Sequence, residues 1–222
     1  MTGTLISIAA LLALVTLPVA LPQVQQAPVV AEAPAELVGL TPAQQSALLE
    51  AAADGLAAVE TAKGRFSQIS NDGSITSGEF ALRRPGQMRF DYDDPTPIRI
   101  IADGTTVAIE DTALETIDRV PIAATPLGMI LSKKLDFEKR ANVLSVTQDT
   151  GRINIALEDK SDEHEGQLVL MMDASDYELL GWWTLDEAGG ITEVLLKDVE
   201  TGVKLDPKLF RIEDPEDDED EF

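Results

Sequence analysis

Residues 78–92, Gly-Glu-Phe-Ala-Leu-Arg-Arg-Pro-Gly-Gln-Met-Arg-Phe-Asp-Tyr, constrain this chain more than any other stretch. Phe80 and Leu82 alternate before the Pro85-Gly86 pair, and Met88, Phe90 and Tyr92 alternate after it. Period-2 alternation on both sides of a Pro-Gly turn reads as an antiparallel hairpin with one apolar face. Arg83 and Arg84 sit side by side just before the turn, so the pleat sends them to opposite faces. One guanidinium therefore points toward the apolar side, where its donors must find acceptors.

The rest of the chain repeats the theme. Val107 and Ile109 follow Asp103-Gly104; Ile153, Ile155 and Leu157 follow Thr150-Gly151; Ile191, Val194 and Leu196 follow Gly189-Gly190. Asp-Gly and Gly-Gly between apolar runs are strong hairpin signals. Leu168–Met172 is apolar at every position, as expected of a strand covered on both faces, here by a core on one side and a helix on the other. Two helical regions are expected. The first runs from Pro42 to Thr61: Thr41 caps it, Gln44 completes a capping box, and Gly64 ends it. Its apolar stripe is Leu48, Leu49, Ala52, Leu56 and Val59. The second spans Pro126–Phe137. The expected fold class is mainly β (α+β): one antiparallel sheet curved into an open, incomplete barrel, with helices over one opening.

Charge and composition exclude several functions. The net charge of −23 argues against nucleic acid and against adsorption to anionic membranes. Cysteine is absent, so there is no disulfide, no thiolate chemistry and no lipid-accepting Cys. His164, the one histidine, sits in a polar loop without a nucleophile-elbow motif. Metal-ligand spacing and phosphate loops are lacking, and Asp91, Asp93 and Asp94 read as turn acids. The chain is expected to be non-enzymatic, without cofactor or metal. Met88, Met129, Met171 and Met172 are deformable and suit either a cavity for flexible chains or ordinary core filling.

Four segments follow. Residues 1–21 hold an apolar run from Leu5 to Leu21, broken by Pro18, short for a spanning helix and suited to a secretory leader. A retained weak anchor is the competing reading, because no basic residue precedes the run. Cleavage after Ala20 or near Ala31 fits the small residues there. Residues 22–40, rich in Pro, Ala, Val and Gln, read as a linker. Residues 41–212 form the folded domain. Residues 213–222 hold eight acids in ten and read as a disordered acidic tail; removing those eight charges leaves the rest at −15.

The hairpin resembles the signature of the LolA family of periplasmic lipoprotein carriers. Lys63-Gly-Arg-Phe-Ser-Gln68 resembles that family's Phe-x-Gln element, Ile100-Ile-Ala-Asp-Gly104 its Asp-Gly hairpin, and Thr125–Leu131 its Pro-led lid. The four elements occur in order across about residues 42–212. The resemblance implies a chaperone whose apolar cavity holds lipoprotein acyl chains in transit from inner to outer membrane. Alternation with polar neighbours marks Phe80, Leu82, Met88, Phe90, Ile100, Ile155, Leu170 and Leu196 as the residues that mostly line or abut that apolar interior. The lid would be Pro126, Leu127, Ile130 and Leu131, and Arg84 would latch it through backbone carbonyls, with Arg83 facing out. Implied partners are the acyl chains, an inner-membrane lipoprotein-releasing ABC transporter, and an outer-membrane lipoprotein receptor or that membrane directly. The protein would be an exported, periplasmic monomer. A non-enzymatic envelope protein-interaction module of the same fold, with a filled core and no lipid cargo, is the alternative.

Overall fold

A computed structural model describes residues 40–125, 127–132, 135–160, 166–185 and 189–213. The leader, nearly all of the linker, most of the acidic tail, His164 and Pro126 lie outside the described residues, as does the Leu127 side chain.

Helix α1 covers Pro42–Ala58 and starts as its sequence demands. The Gln44 side chain accepts from the Thr41 N–H at 2.9 Å, and Thr41 Oγ1 accepts from the Gln44 N–H. The helix stops three residues short of the expected Thr61, and Gly64 does not cap it. Gly64 instead lies inside strand β1, Thr61–Ile69, where a Cβ would stand 2.8 Å from the Lys197 carbonyl and 2.9 Å from the Phe80 ring. That glycine is a close-approach residue of a sheet, not a helix terminator.

The strands that follow are β2 (Ile75–Arg83), β3 (Gln87–Tyr92), β4 (Ile98–Asp103), β5 (Thr106–Asp111) and β6 (Thr116–Pro121). After a crossing segment come β7 (Ala141–Asp149), β8 (Arg152–Asp159), β9 (Gln167–Asp173), β10 (Leu179–Leu185) and β11 (Ile191–Thr201). They form one antiparallel sheet in the order β6-β5-β4-β3-β2-β1-β11-β10-β9-β8-β7. Two meanders are thus joined along β1 and β11. β6 and β7 are the two edges, and they do not pair with each other. The crossing segment that links them was expected as one helix over Pro126–Phe137. It is instead a 3-10 turn at Ile122–Ala124 and two single turns, α2 (Leu127–Ile130) and α3 (Phe137–Arg140). Asp136 caps α3, accepting from the Lys139 N–H at 3.1 Å, so a new helix starts where the old one was expected to end.

The register places the apolar set on one inner face. Ala62, Leu82, Met88, Ala102 and Val107 lie in one row across β1–β5, and Gly64, Phe80, Phe90, Ile100 and Ile109 in the next. Leu170, Trp182 and Val194 continue this face across β9–β11. Two buried clusters result. One packs Leu49, Ala52 and Leu56 of α1 against Ile153, Ile155, Leu157, Leu168, Leu170 and Met172. The other gathers Phe66, Phe80, Met88, Phe90 and Val194 beneath Leu131. Trp182 packs against both. β9 is buried on both faces as its sequence requires, but α1 lies on the inner side, over Leu168, Leu170 and Met172. Val169 and Met171 lie on the other face, beside Trp183 and Gly181.

The outer face of β2–β4 receives the C-terminal segment. A 3-10 turn at Pro207–Phe210 buries Phe210 almost completely, 5.1 Å beneath the Arg83 guanidinium. Arg89 donates to the Leu209 carbonyl at 3.2 Å and to Asp91.

Candidate functional site

Arg84 directly follows β2, at the rim of the inner face. Its Nε donates to the Val59 carbonyl at 3.0 Å, and its Nη1 donates to the Ile130 carbonyl at the end of α2. Two residues on, the Gly86 N–H donates to the Leu131 carbonyl at 2.9 Å. Both hairpin-borne donors thus engage consecutive carbonyls of one short segment. Short helical turns leave such carbonyls unpaired within the helix, which makes them available. Both of these acceptors are uncharged carbonyls, and burial pushes the guanidinium's pKa down to about 10. It is still charged at neutral pH, and a charged donor makes the stronger bond to a carbonyl.

Beneath the latched segment is a small void lined by Phe80, Leu82, Met88, Phe90, Ile130, Leu131, Trp182 and Leu196. Every lining side chain is apolar, apart from the indole N–H. The free space is about 20 Å³, little more than one water needs. With Ile130 and Leu131 in place, the space is too small for any larger apolar group. Leu131 also walls a second, open hollow of about 420 Å³ between the Pro85-Gly86 turn, Gly104, Met129 and Arg140. Leu131, buried, thus borders both the open hollow and the void.

Five of the eight residues expected to line a cavity surround this void: Phe80, Leu82, Met88, Phe90 and Leu196. Ile100 packs against the same cluster from the side. Ile155 and Leu170 are fully buried in the other cluster under α1, away from the void. Alternation gave those two the correct face, but the helix covers that half of it. Ile130 and Leu131 reach the void, whereas Pro126 and the Leu127 side chain lie outside the described residues. Trp182 was not anticipated. The adjacent pair Trp182-Trp183 held the signal, because neighbouring strand residues must face opposite ways and one ring had to point inward.

The acids near β3 are clamped by arginines. Burial would raise the Asp91 carboxyl, but hydrogen bonds from Arg89 at 2.6 Å and Arg99 at 2.8 Å hold it below the usual range. Asp93 is lowered by the Ser77 hydroxyl at 2.7 Å and then by Arg65. Neither is poised to exchange a proton near neutral pH. Among the described residues, no group of three or more His, Cys, Asp or Glu side chains could hold a metal ion.

The class these features define is an open antiparallel sheet with an apolar inner face, closed at one rim by a short latched segment. Comparison with known proteins gives the family. The chain belongs to the family described as outer membrane lipoprotein carrier protein LolA, whose model matches residues 57–213. An outer-membrane lipoprotein carrier protein of Methylococcus capsulatus is 31% identical over 169 residues, spanning 72% of this chain and 80% of that one. The protein of the same name from Legionella pneumophila strain Paris is 30% identical over 170 residues, spanning 72% and 82%. Among solved structures, a lipoprotein-sorting protein domain from Vibrio parahaemolyticus covers 73% of this chain and 95% of its own. It is 14% identical, with a TM-score of 0.47.

Proposed function

We propose that this protein is a periplasmic carrier that takes the acyl chains of lipoproteins onto its inner sheet face and delivers them from the inner to the outer membrane. The observation that carries this reading is the Arg84 hydrogen bond to the Ile130 carbonyl over a small space on the inner face, enclosed by apolar side chains. The need for such a carrier is physical. Each methylene kept from water is worth about 0.8 kcal/mol, so one long acyl chain in water costs on the order of 10 kcal/mol. Burial under the lid removes that cost. Release requires the opposite, and the latch supplies part of it: re-forming the Arg84 bonds favours the empty, closed state. No covalent step is involved, and the protein acts as a binding chaperone and not as an enzyme. An inner-membrane ABC transporter would load it, and an outer-membrane receptor or that membrane itself would accept the cargo.

The test is mass spectrometry of the protein purified from its native envelope, together with titration by a fluorescent fatty acid. Co-purifying lipoproteins and saturable probe binding are expected. Absence of both would leave a filled-core interaction module as the better reading.

A further inference from the structure

The inner face changes character along the strands. Near the lid it is wholly apolar. Four residues along β1 from Ala62, about 13 Å at the strand rise, stands Phe66, 1% exposed. Two residues further stands Gln68, opposite Thr76. Tyr92 donates its hydroxyl to Gln68 Oε1 at 2.6 Å, and Thr76 Oγ1 is buried without a hydrogen-bond partner. Beyond Phe66 this part of the face is therefore polar.

Phe66 is also held by two neighbouring rings. It meets Phe90 edge-on at 4.6 Å and Tyr92 edge-on at 5.0 Å. It lies over Gly78, its partner in β2; a Cβ there would stand 2.6 Å from the ring. Phe80 and Phe90, which line the void, lie between Phe66 and the lid. A chain entering under Leu131 and displacing those two rings runs next into Phe66.

We infer that Phe66 is the floor of the acyl site, a specificity-determining residue that sets how long a saturated chain can be buried. The inference rests on the carrier reading above and adds to it a limit on cargo. A flexible chain that passes Phe66 along β1 and β2 meets Gln68 and Thr76; at that level the face is apolar only across β11 and β10, at Val194 and Trp182, which already pack in the core. Extra methylenes past Phe66 must displace that packing, fold back or remain in water, so affinity stops rising with chain length. Phe66 acts by occupying space, and Tyr92 and Gln68 act by holding it and by making the next row unattractive.

The experiment is a competition series of saturated fatty acids, from laurate to stearate, against a bound fluorescent fatty acid. The parent is expected to reach a plateau within the series. Phe66→Ala removes the ring and lets about two further methylenes be buried, which raises affinity for the longest chain roughly tenfold over the parent while the shortest is unchanged. Phe66→Leu, which keeps an apolar side chain over Gly78, carries the test if the alanine variant does not fold, with a smaller shift in the same direction. Leu170→Ala, a cavity under α1, is the control: it lowers stability and leaves the plateau where it is. An unchanged plateau in folded Phe66 variants overturns the floor, and so does a shift of the plateau in Leu170→Ala. A parent that binds no fatty acid at all overturns the carrier reading itself, which keeps the two failures distinct.

Discussion

Replacing Arg84 with leucine should turn the carrier into a trap. The closed state holds the guanidinium by two bonds, to Val59 and Ile130. Bonds from a charged donor are worth about 1.5–3 kcal/mol each, so roughly 3–6 kcal/mol together. Against this stands desolvation. The burial that pulls the guanidinium's pKa down to about 10 costs roughly 3 kcal/mol. The latch is then worth about 0–3 kcal/mol, with a midpoint of about 1.5. Leucine also leaves the Ile130 carbonyl without that donor in the closed state, which adds about 1 kcal/mol. Closing becomes less favourable by about 2 kcal/mol, and a cargo that competes with closure should be held roughly thirtyfold more tightly. The assay is the rate of transfer of a fluorescent fatty acid from the protein to acceptor vesicles, followed by stopped flow. Loading should proceed as in the parent, and release should slow by tens of fold. Arg84→Lys should fall between the two, because an ammonium lacks the planar fork that spans both carbonyls. A variant with the parent's circular dichroism and a release rate within twofold of the parent's would refute the latch.

Arg83→Leu is the matched comparison, and the structure makes it more than silent. It loses the contact over Phe210, so the melting temperature should fall by roughly 2–4 °C, from about 1 kcal/mol, while release is unchanged. Slow release in this variant and not in Arg84→Leu would move the latch one residue. Trp182 lines the void and Trp183 faces away, so loading an acyl probe should change tryptophan emission in Trp183→Phe but not in Trp182→Phe. The Asp91 carboxyl is held below its unfolded value, so its contribution to stability is complete above the ordinary carboxylate range and is lost as the pH falls through the folded value. Denaturant titrations of Asp91→Asn should therefore show lower stability at neutral pH and a smaller further loss in acid than the parent.

Local signals carried far in this chain. The Pro-Gly, Asp-Gly and Gly-Gly turns and the Thr41–Gln44 capping box act over four residues or fewer, and each marks a real element boundary. What sequence parity cannot give is position along a sheet. Ile155 and Phe90 alternate alike and face the same way, yet one lies under α1 and the other under the lid. That difference depends on β1 pairing with β11, more than a hundred residues away. The lid was misjudged for a related reason. Leu127–Leu131 continues toward Phe137 with helical spacing, but a donor on another hairpin takes the Ile130 carbonyl, and the turn ends there. Gly64 has the look of a helix stop because a glycine just past a helix commonly is one; its real constraint, the Phe80 ring, is distant in sequence.

The two edges of the sheet, β6 and β7, share no backbone ladder, and the lid segment alone joins them in sequence. A sealed barrel has a circumference set by its strand number, and widening it means breaking inter-strand hydrogen bonds. Here the edges can splay or close while every strand pair stays intact, as a clasp opens without stretching its metal. The work of admitting a thicker cargo falls on side-chain contacts and on the latch, not on the strand ladders. For a carrier of the kind proposed above, girth would adjust at the two edges while Phe66 limits depth.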